Sequence, residues 1–237
     1  MSWTLTLVIL AATAARVVAS VGPDVATGSV DPRGFKFTRI DRSTGEPVRF
    51  DPCAPIHYVI NPASAPAGGI DDVHATFEKT TEASGVKFVY DGTTEEVPSV
   101  DRETYQPDRY GDRWAPLLIA WVHELPSISD QPEVDGRERI GVGGSALVEG
   151  PDGGALVTGM AIFDADADLQ PGFGGSTWGQ AMLHEVGHIM GLDHVEIPNS
   201  IMNPLLGLRS AAWGEGDRAG LWELGLGSSC IRTPQPH

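Results

Sequence analysis

Three histidines and one glutamate within eleven residues hold the most specific chemistry in this chain: His184-Glu185-Val186-Gly187-His188-Ile189-Met190-Gly191-Leu192-Asp193-His194. Residues four apart share one face of a helix, so His184 and His188 present their imidazoles to a single metal ion. Glu185, next to the first ligand, can reach a metal-bound water without ligating the metal. Gly191 lets the chain leave the helix through a left-handed or otherwise tight turn, which brings His194 back as the third ligand. Three imidazoles suit zinc, and an open fourth position is what separates a catalytic zinc from a structural one. The candidate metal ligands are therefore His184, His188 and His194, and the candidate general base is Glu185. A bare His-Glu-x-x-His is a weak signal, but the glycine and third histidine at fixed offsets make coincidence hard to sustain.

A second motif follows in Ser200-Ile201-Met202-Asn203-Pro204. An extended histidine motif with a downstream methionine turn resembles the metzincin clan of zinc metalloproteases. Within that clan the spacing from His194 to Met202, and Pro204 where astacins and serralysins usually carry tyrosine, is most similar to the matrixins (matrix metalloprotease-like, peptidase M10). The resemblance implies an α+β fold with an α/β-type N-terminal part: a twisted, mixed five-stranded sheet, an active-site helix and a small C-terminal subdomain. It also implies one catalytic Zn2+, a polypeptide substrate, and Met202 as a hydrophobic floor beneath the ligands. The expected activity is that of a secreted zinc metalloendopeptidase that hydrolyses peptide bonds with a Glu185-activated, zinc-bound water. Two other readings stay open: an extracellular binding module with a structural zinc, and a zinc hydrolase acting on non-peptide amides or esters.

The elements that must position these residues are legible as periodic segments. Strands are expected at Ile56–Ile60, Val86–Tyr90, Leu117–Val122, Ile140–Val148 and Leu156–Phe163. The third is strongly apolar, and Asp91-Gly92 should stop the second. Ile70, Val73, Phe77 and Thr81 recur at helical spacing in a helix expected over 70–84 and ended by Gly85. Thr177-Trp178-Gly179-Gln180 matches a capping box that opens the zinc-ligand helix, about Trp178 to Met190. A last helix is expected over Glu215–Leu224. The polar stretches 93–114 and 131–139 read as surface loops. One strand at 140–148 should form an open edge to which an extended peptide could add, and Pro204-Leu205-Leu206 could border a pocket for an apolar substrate side chain.

Size and charge bound the rest. The chain has 237 residues, 41% of them hydrophobic, which suits one sizeable catalytic domain. Its 32 acidic and 16 basic side chains give a net charge of −16, which argues against nucleic acid or an anionic membrane as partner. A monomer without stable membrane association is expected. Residues 1–20 read as a secretory signal, with a short apolar core at Leu5–Leu10 and small residues at Val18-Ala19-Ser20, although no basic residue precedes that core. Residues 21–50 read as an N-terminal extension or short propeptide, and 51–237 as the metalloprotease catalytic domain. The two cysteines, Cys53 and Cys230, sit near the two ends of that domain. In an exported protein they are expected to pair, contributing roughly 4–5 kcal/mol in the chain-entropy model. The alternative is a thiolate that plugs the zinc in a latent form, but the cysteine-switch motif of matrixin propeptides is absent around Cys53.

Weaker signals have plainer explanations. Asp164, Asp166 and Asp168 alternate with alanines and could supply Ca2+ ligands. They lack the glycine and distal glutamate of an EF-hand loop, so a solvated acidic loop is preferred. Gly141-Val142-Gly143-Gly144-Ser145 reads as a bulged or kinked strand, because neither a lysine nor a helix follows. His123-Glu124 begins like the zinc motif, but Ser127 stands where a second histidine is needed. His57, His74 and His237 read as isolated histidines. Asp193 either orients a ligand imidazole or ends the helix.

Overall fold

The computed structural model describes residues 24–126, 139–205, 207 and 210–236. The expected signal at 1–20, most of the loop at 131–139, and Ser127, Leu206 and His237 lie outside those residues. In chain order the elements are β1 (Val25–Ala26), β2 (Ile40–Asp41), β3 (Ile56–Asn61), α1 (Gly69–Ser84), β4 (Phe88–Thr93), α2 (Pro107–Tyr110), β5 (Leu117–Val122), β6 (Gly141–Gly150), β7 (Gly153–Asp164), α3 (Trp178–Met190) and α4 (Glu215–Leu224).

Five strands form one mixed sheet in the order β4-β3-β5-β7-β6, with β1 and β2 as a separate antiparallel pair. β3 pairs parallel with β4 and β5, and β5 pairs parallel with β7. β6 returns antiparallel along β7 and forms the outer edge, as expected. This is the mixed α+β architecture that the resemblance implied.

The alternation of the central strands explains the layering. Leu117, Ile119 and Trp121 of β5 face the large core under α1 and α3, whereas Leu118 and Ala120 face a second cluster with Val59, Met160 and Ile162. Strands buried on both faces read as continuous apolar runs, which is why β5 was so clear in the sequence.

Several strand ends differ from expectation by one to three residues: β4 spans Phe88–Thr93, β6 ends at Gly150 and β7 begins at Gly153. β4 runs through Asp91-Gly92 to Thr93, because it is an edge strand where a turn-like pair is tolerated and Thr93 still pairs with Ile60. The 93–114 stretch is not a purely solvated loop. It holds α2 and lies over the outer sheet face, pinned by a buried ion pair between Glu96 and Arg102, each 5% exposed. Arg102 Nε and Nη2 donate to the two Glu96 oxygens at 2.9 and 3.0 Å, and Tyr110 and Gln106 donate to the same carboxylate at 2.6 Å each. Arg102 Nη1 and Nη2 also reach Thr158 Oγ1 and the Pro116 carbonyl on the sheet.

Cys53 and Cys230 form a disulfide that spans a sequence separation of 177, with the Cα atoms 5.4 Å apart. It ties the entry of β3 to the tail after α4. Among the described residues no helix is long and apolar enough to cross a membrane.

The Glu96 network generates a test. Burial alone would raise the Glu96 pKa, but the hydrogen bonds and charge of Arg102, with Tyr110 and Gln106, hold it below the ordinary 4.5. A folded-state value below the unfolded one stabilises fully above about pH 4.5 and loses that contribution as pH falls through the lowered value. Arg102→Met leaves the carboxylate buried without its cation and should cost about 3–5 kcal/mol in urea unfolding at pH 7. The deficit relative to the parent should shrink below pH 4.

Candidate metal centre

The histidine helix α3 runs from Trp178 to Met190 and every residue in it is buried. Its bounds match the sequence reading, but its cap does not. Thr177 makes no side-chain cap bond, and its hydroxyl donates to the Gly175 carbonyl instead. Gly191 ends the helix at φ +111°, in the left-handed region that glycine favours, with its N–H on the Gly187 and His188 carbonyls. The chain then doubles back and returns His194 to the helix face.

The three expected ligands meet. The Nε2 atoms of His184 and His188 are 3.0 Å apart, those of His184 and His194 3.1 Å, and those of His188 and His194 3.2 Å. Nδ1 of His184 lies 2.7 Å from the Ile201 carbonyl, and Nδ1 of His188 lies 2.8 Å from the Leu192 carbonyl. A carbonyl only accepts, so both Nδ1 atoms carry the proton and both Nε2 atoms present bare lone pairs. Two lone pairs facing at 3.0 Å repel unless a cation lies against them. Nitrogens on a tetrahedral zinc stand about 3.3 Å apart, given Zn–N of about 2.0–2.1 Å, close to the triangle seen here.

The protonation states agree with that use. Burial, then the neighbouring His184 and His194, push the His188 pKa well below 6.5. Burial also lowers that of His194, with Asp193 opposing and Lys36 assisting. Both are neutral at neutral pH, as metal ligands must be.

Glu185 is fully buried. No donor among the described residues stands in hydrogen-bonding geometry to either of its carboxylate oxygens. Burial pushes its pKa well above the ordinary range, and the loosely directed Gly143 amide and the charge of Arg139 offset only part of this. A buried carboxyl without a partner is costly, and one on the residue next to His184 fits a site built to hold a cation and its water. Among the described residues the other convergent group of metal-ligating types is Asp51, Cys53 and Cys230, whose cysteines are in the disulfide. The carboxylates of Asp164, Asp166 and Asp168 do not converge in this way, so calcium is not shown. His123 pairs with Asp166 on the surface, His57 with Asp91, and His74 with the Tyr58 hydroxyl.

Several supporting residues were not recognised in the sequence. β6 lies so close over α3 that a Cβ on Gly143 would fall 2.5 Å from the Glu185 carbonyl and 2.8 Å from its carboxylate, and one on Gly141 3.2 Å from the other carboxylate oxygen. Where the glycine run predicts a bulged or kinked strand, β6 pairs continuously with β7, and its register shift lies beyond the run, between Ala146 and Leu147. Close backbone approach is the other meaning of glycine in a strand.

Gly187 plays the same part beneath the helix, where any Cβ would strike the Met202 sulfur. Met202 is buried against α3 together with Trp213, as the floor reading implied. Asp217, fully buried on α4, accepts from the Ser200 hydroxyl at 2.5 Å, the Ile201 N–H at 2.7 Å and the Gly214 N–H at 2.8 Å. It therefore holds the Ile201 N–H directly, and through the Ser200 hydroxyl, which accepts from the Met202 N–H at 2.9 Å, the next peptide, whose Ile201 carbonyl orients His184. Its signal was its place three residues after Gly214 at a helix start. Asp193 is settled as well: Oδ1 accepts from the His194 N–H at 2.7 Å and Oδ2 pairs with Lys36 at 2.8 Å.

A mixed sheet over a histidine helix, with a methionine turn below, defines a zinc-metalloprotease fold of metzincin type. Residues 119–224 match the family model described as Matrixin, and the chain is matrixin-like. That stretch contains β5, β6, β7, the whole histidine motif, the methionine turn and α4. The match supports a zinc metalloprotease at family level. No curated protein matches the chain.

Gly143→Ala tests the close approach. Overpacking against a backbone carbonyl should lower stability by about 1–3 kcal/mol in urea unfolding. It should also reduce metal uptake, measured by elemental analysis. Gly174→Ala, where a Cβ meets nothing within 4 Å, should leave both unchanged.

Proposed function

We propose that the chain is a secreted zinc-dependent endopeptidase in which His184, His188 and His194 hold the metal and Glu185 is the general base. The observation that carries this reading is the triangle of Nε2 atoms at 3.0–3.2 Å, two of them fixed as bare acceptors by backbone carbonyls. Residues 1–20 are proposed as the export signal and 51–237 as the catalytic domain. A disulfide between Cys53 and Cys230 suits an oxidising compartment.

Bound zinc supplies Lewis acidity, polarising the scissile carbonyl and making a water acidic enough to attack near neutral pH. The chain's own residues do the rest. The Ile201 and Leu192 carbonyls hold the tautomers of His184 and His188, so that both rings offer Nε2. Glu185 takes the proton of the attacking water on a carboxylate oxygen and returns it to the departing amine nitrogen as the C–N bond breaks. Its burial raises its proton affinity in the direction a base working near neutrality needs. Among the described residues no strand pairs with the outer edge of β6, which suits the addition of an extended polypeptide and favours peptides over small amides or esters. A zinc that only stapled the fold would leave no role for a buried, unpartnered carboxyl beside it.

The test uses the purified full chain with a denatured protein substrate. A chelator should abolish cleavage and zinc should restore it. Glu185→Gln should lower kcat/KM by about 10²–10⁴ with zinc content unchanged. Cleavage by Glu185→Gln at the parent rate would overturn the assignment of the base. Turnover of small acyl esters with no peptide cleavage would overturn the substrate class.

A further inference from the structure

The Gly191–Asp193 turn is gripped on its outer side by residues far away in sequence. Asp193 N–H donates to the Lys36 carbonyl and Thr38 N–H to the Gly191 carbonyl, each at 2.8 Å. Phe37 bridges antiparallel to Leu192. The Thr38 hydroxyl donates to the Leu192 carbonyl at 3.0 Å, and Lys36 Nζ pairs with Asp193 at 2.8 Å. The same Leu192 carbonyl accepts from Nδ1 of His188, and the same Asp193 carboxylate accepts from the N–H of His194. The His188 ring and the backbone of His194 are thus held by groups that Thr38 and Lys36 hold in turn.

The segment that carries them is anchored. Phe35 is 2% exposed in the main core, and its ring centroid lies 5.1 Å from that of Phe37. Arg33 pairs with Glu223 on α4. Gly34 lies so close to Gly216 that a Cβ on Gly216 would strike its carbonyl. Val48 and Phe50, further along, are buried in the same core.

We propose that Lys36 and Thr38 are positioning residues for His194 and His188, and that the stretch bearing them is a permanent strap of the mature enzyme rather than a removable leader. A carbonyl oxygen has two lone pairs. With one taken by the Thr38 hydroxyl, the Leu192 carbonyl is fixed in direction, and the His188 Nδ1–H that bonds to it fixes the ring. Lys36 holds the Asp193 carboxylate in the orientation that receives the His194 amide. Partners behind metal ligands are typically worth 10–100-fold in metal affinity, and Thr38 and Lys36 act one bond further out. This inference rests on the three histidines being the zinc ligands.

The measurement is the zinc dissociation constant of the full chain, by competition with a chelating dye, for the parent, Thr38→Val, Thr38→Ser and Lys36→Met. Thr38→Val should raise the Kd by about tenfold or more. Thr38→Ser, which keeps the hydroxyl, should restore it, while the zinc-free forms of the two melt together. Lys36→Met, at a partly exposed pair, tests the strap even if Thr38→Val fails to fold, and its Kd should also rise. Intact mass of the active enzyme should include residues 36–38. Equal zinc affinity in all four proteins, or an active form that begins after Arg39, would overturn the proposal. Failure of the zinc-site reading itself would show differently, as a parent chain that takes up no zinc.

Discussion

The convergence of three imidazole nitrogens on one point is the constraint around which the rest of this fold is arranged. Neutral His184 and His188, whose Nδ1 atoms face carbonyls, turn Nε2 lone pairs toward each other at 3.0 Å and are not held together by attraction. They are held by what stands behind them: backbone carbonyls that take the Nδ1 protons, a helix with no exposed residue, and a glycine-ended turn. Such a group keeps its electrostatic cost until a divalent cation meets it, and its three ligand atoms lie where they could hold one.

Every layer of the molecule contributes to that arrangement. The central strands are apolar on both faces, so α3 packs on one side and the Glu96–Arg102 segment covers the other. β6 lies close over Glu185 because its residues there are glycines, and Met202 seats below because residue 187 is one too. The last helix places Asp217 so that a buried carboxylate holds Ser200 and Ile201, and through the Ile201–Met202 peptide the ring of His184. The chain before β3 closes the opposite side of the turn. The orientation of the three rings depends on groups that hold the Nδ1 atoms of two and the backbone of the third.

Much of this was legible in the sequence, for identifiable reasons. α3, β5 and α4 were placed to the residue, because each is a long periodic or uniformly apolar segment with a clear stop. The ligand set was legible because helical spacing and a glycine turn fix where three histidines fall. The failures share one cause. Asp217, Gly143, Gly187, Lys36 and Thr38 act through contacts with residues remote in the chain, and local pattern carries no information about those. The Thr177 cap failed for a related reason, since Gly175 offered its hydroxyl a competing acceptor. The 93–114 stretch looked like loop because its polar residues are polar, and nothing local showed that Glu96 and Arg102 pair with each other under cover.

The most direct test of the central claim is X-ray absorption at the zinc edge on the purified protein, alongside metal content. The account predicts one zinc per chain with three imidazole nitrogens at about 2.0–2.1 Å and one lighter oxygen ligand. It also predicts that the histidine shell weakens when any of His184, His188 or His194 is replaced by alanine. A protein that binds no stoichiometric metal, or whose metal keeps its full histidine shell in those variants, would contradict it.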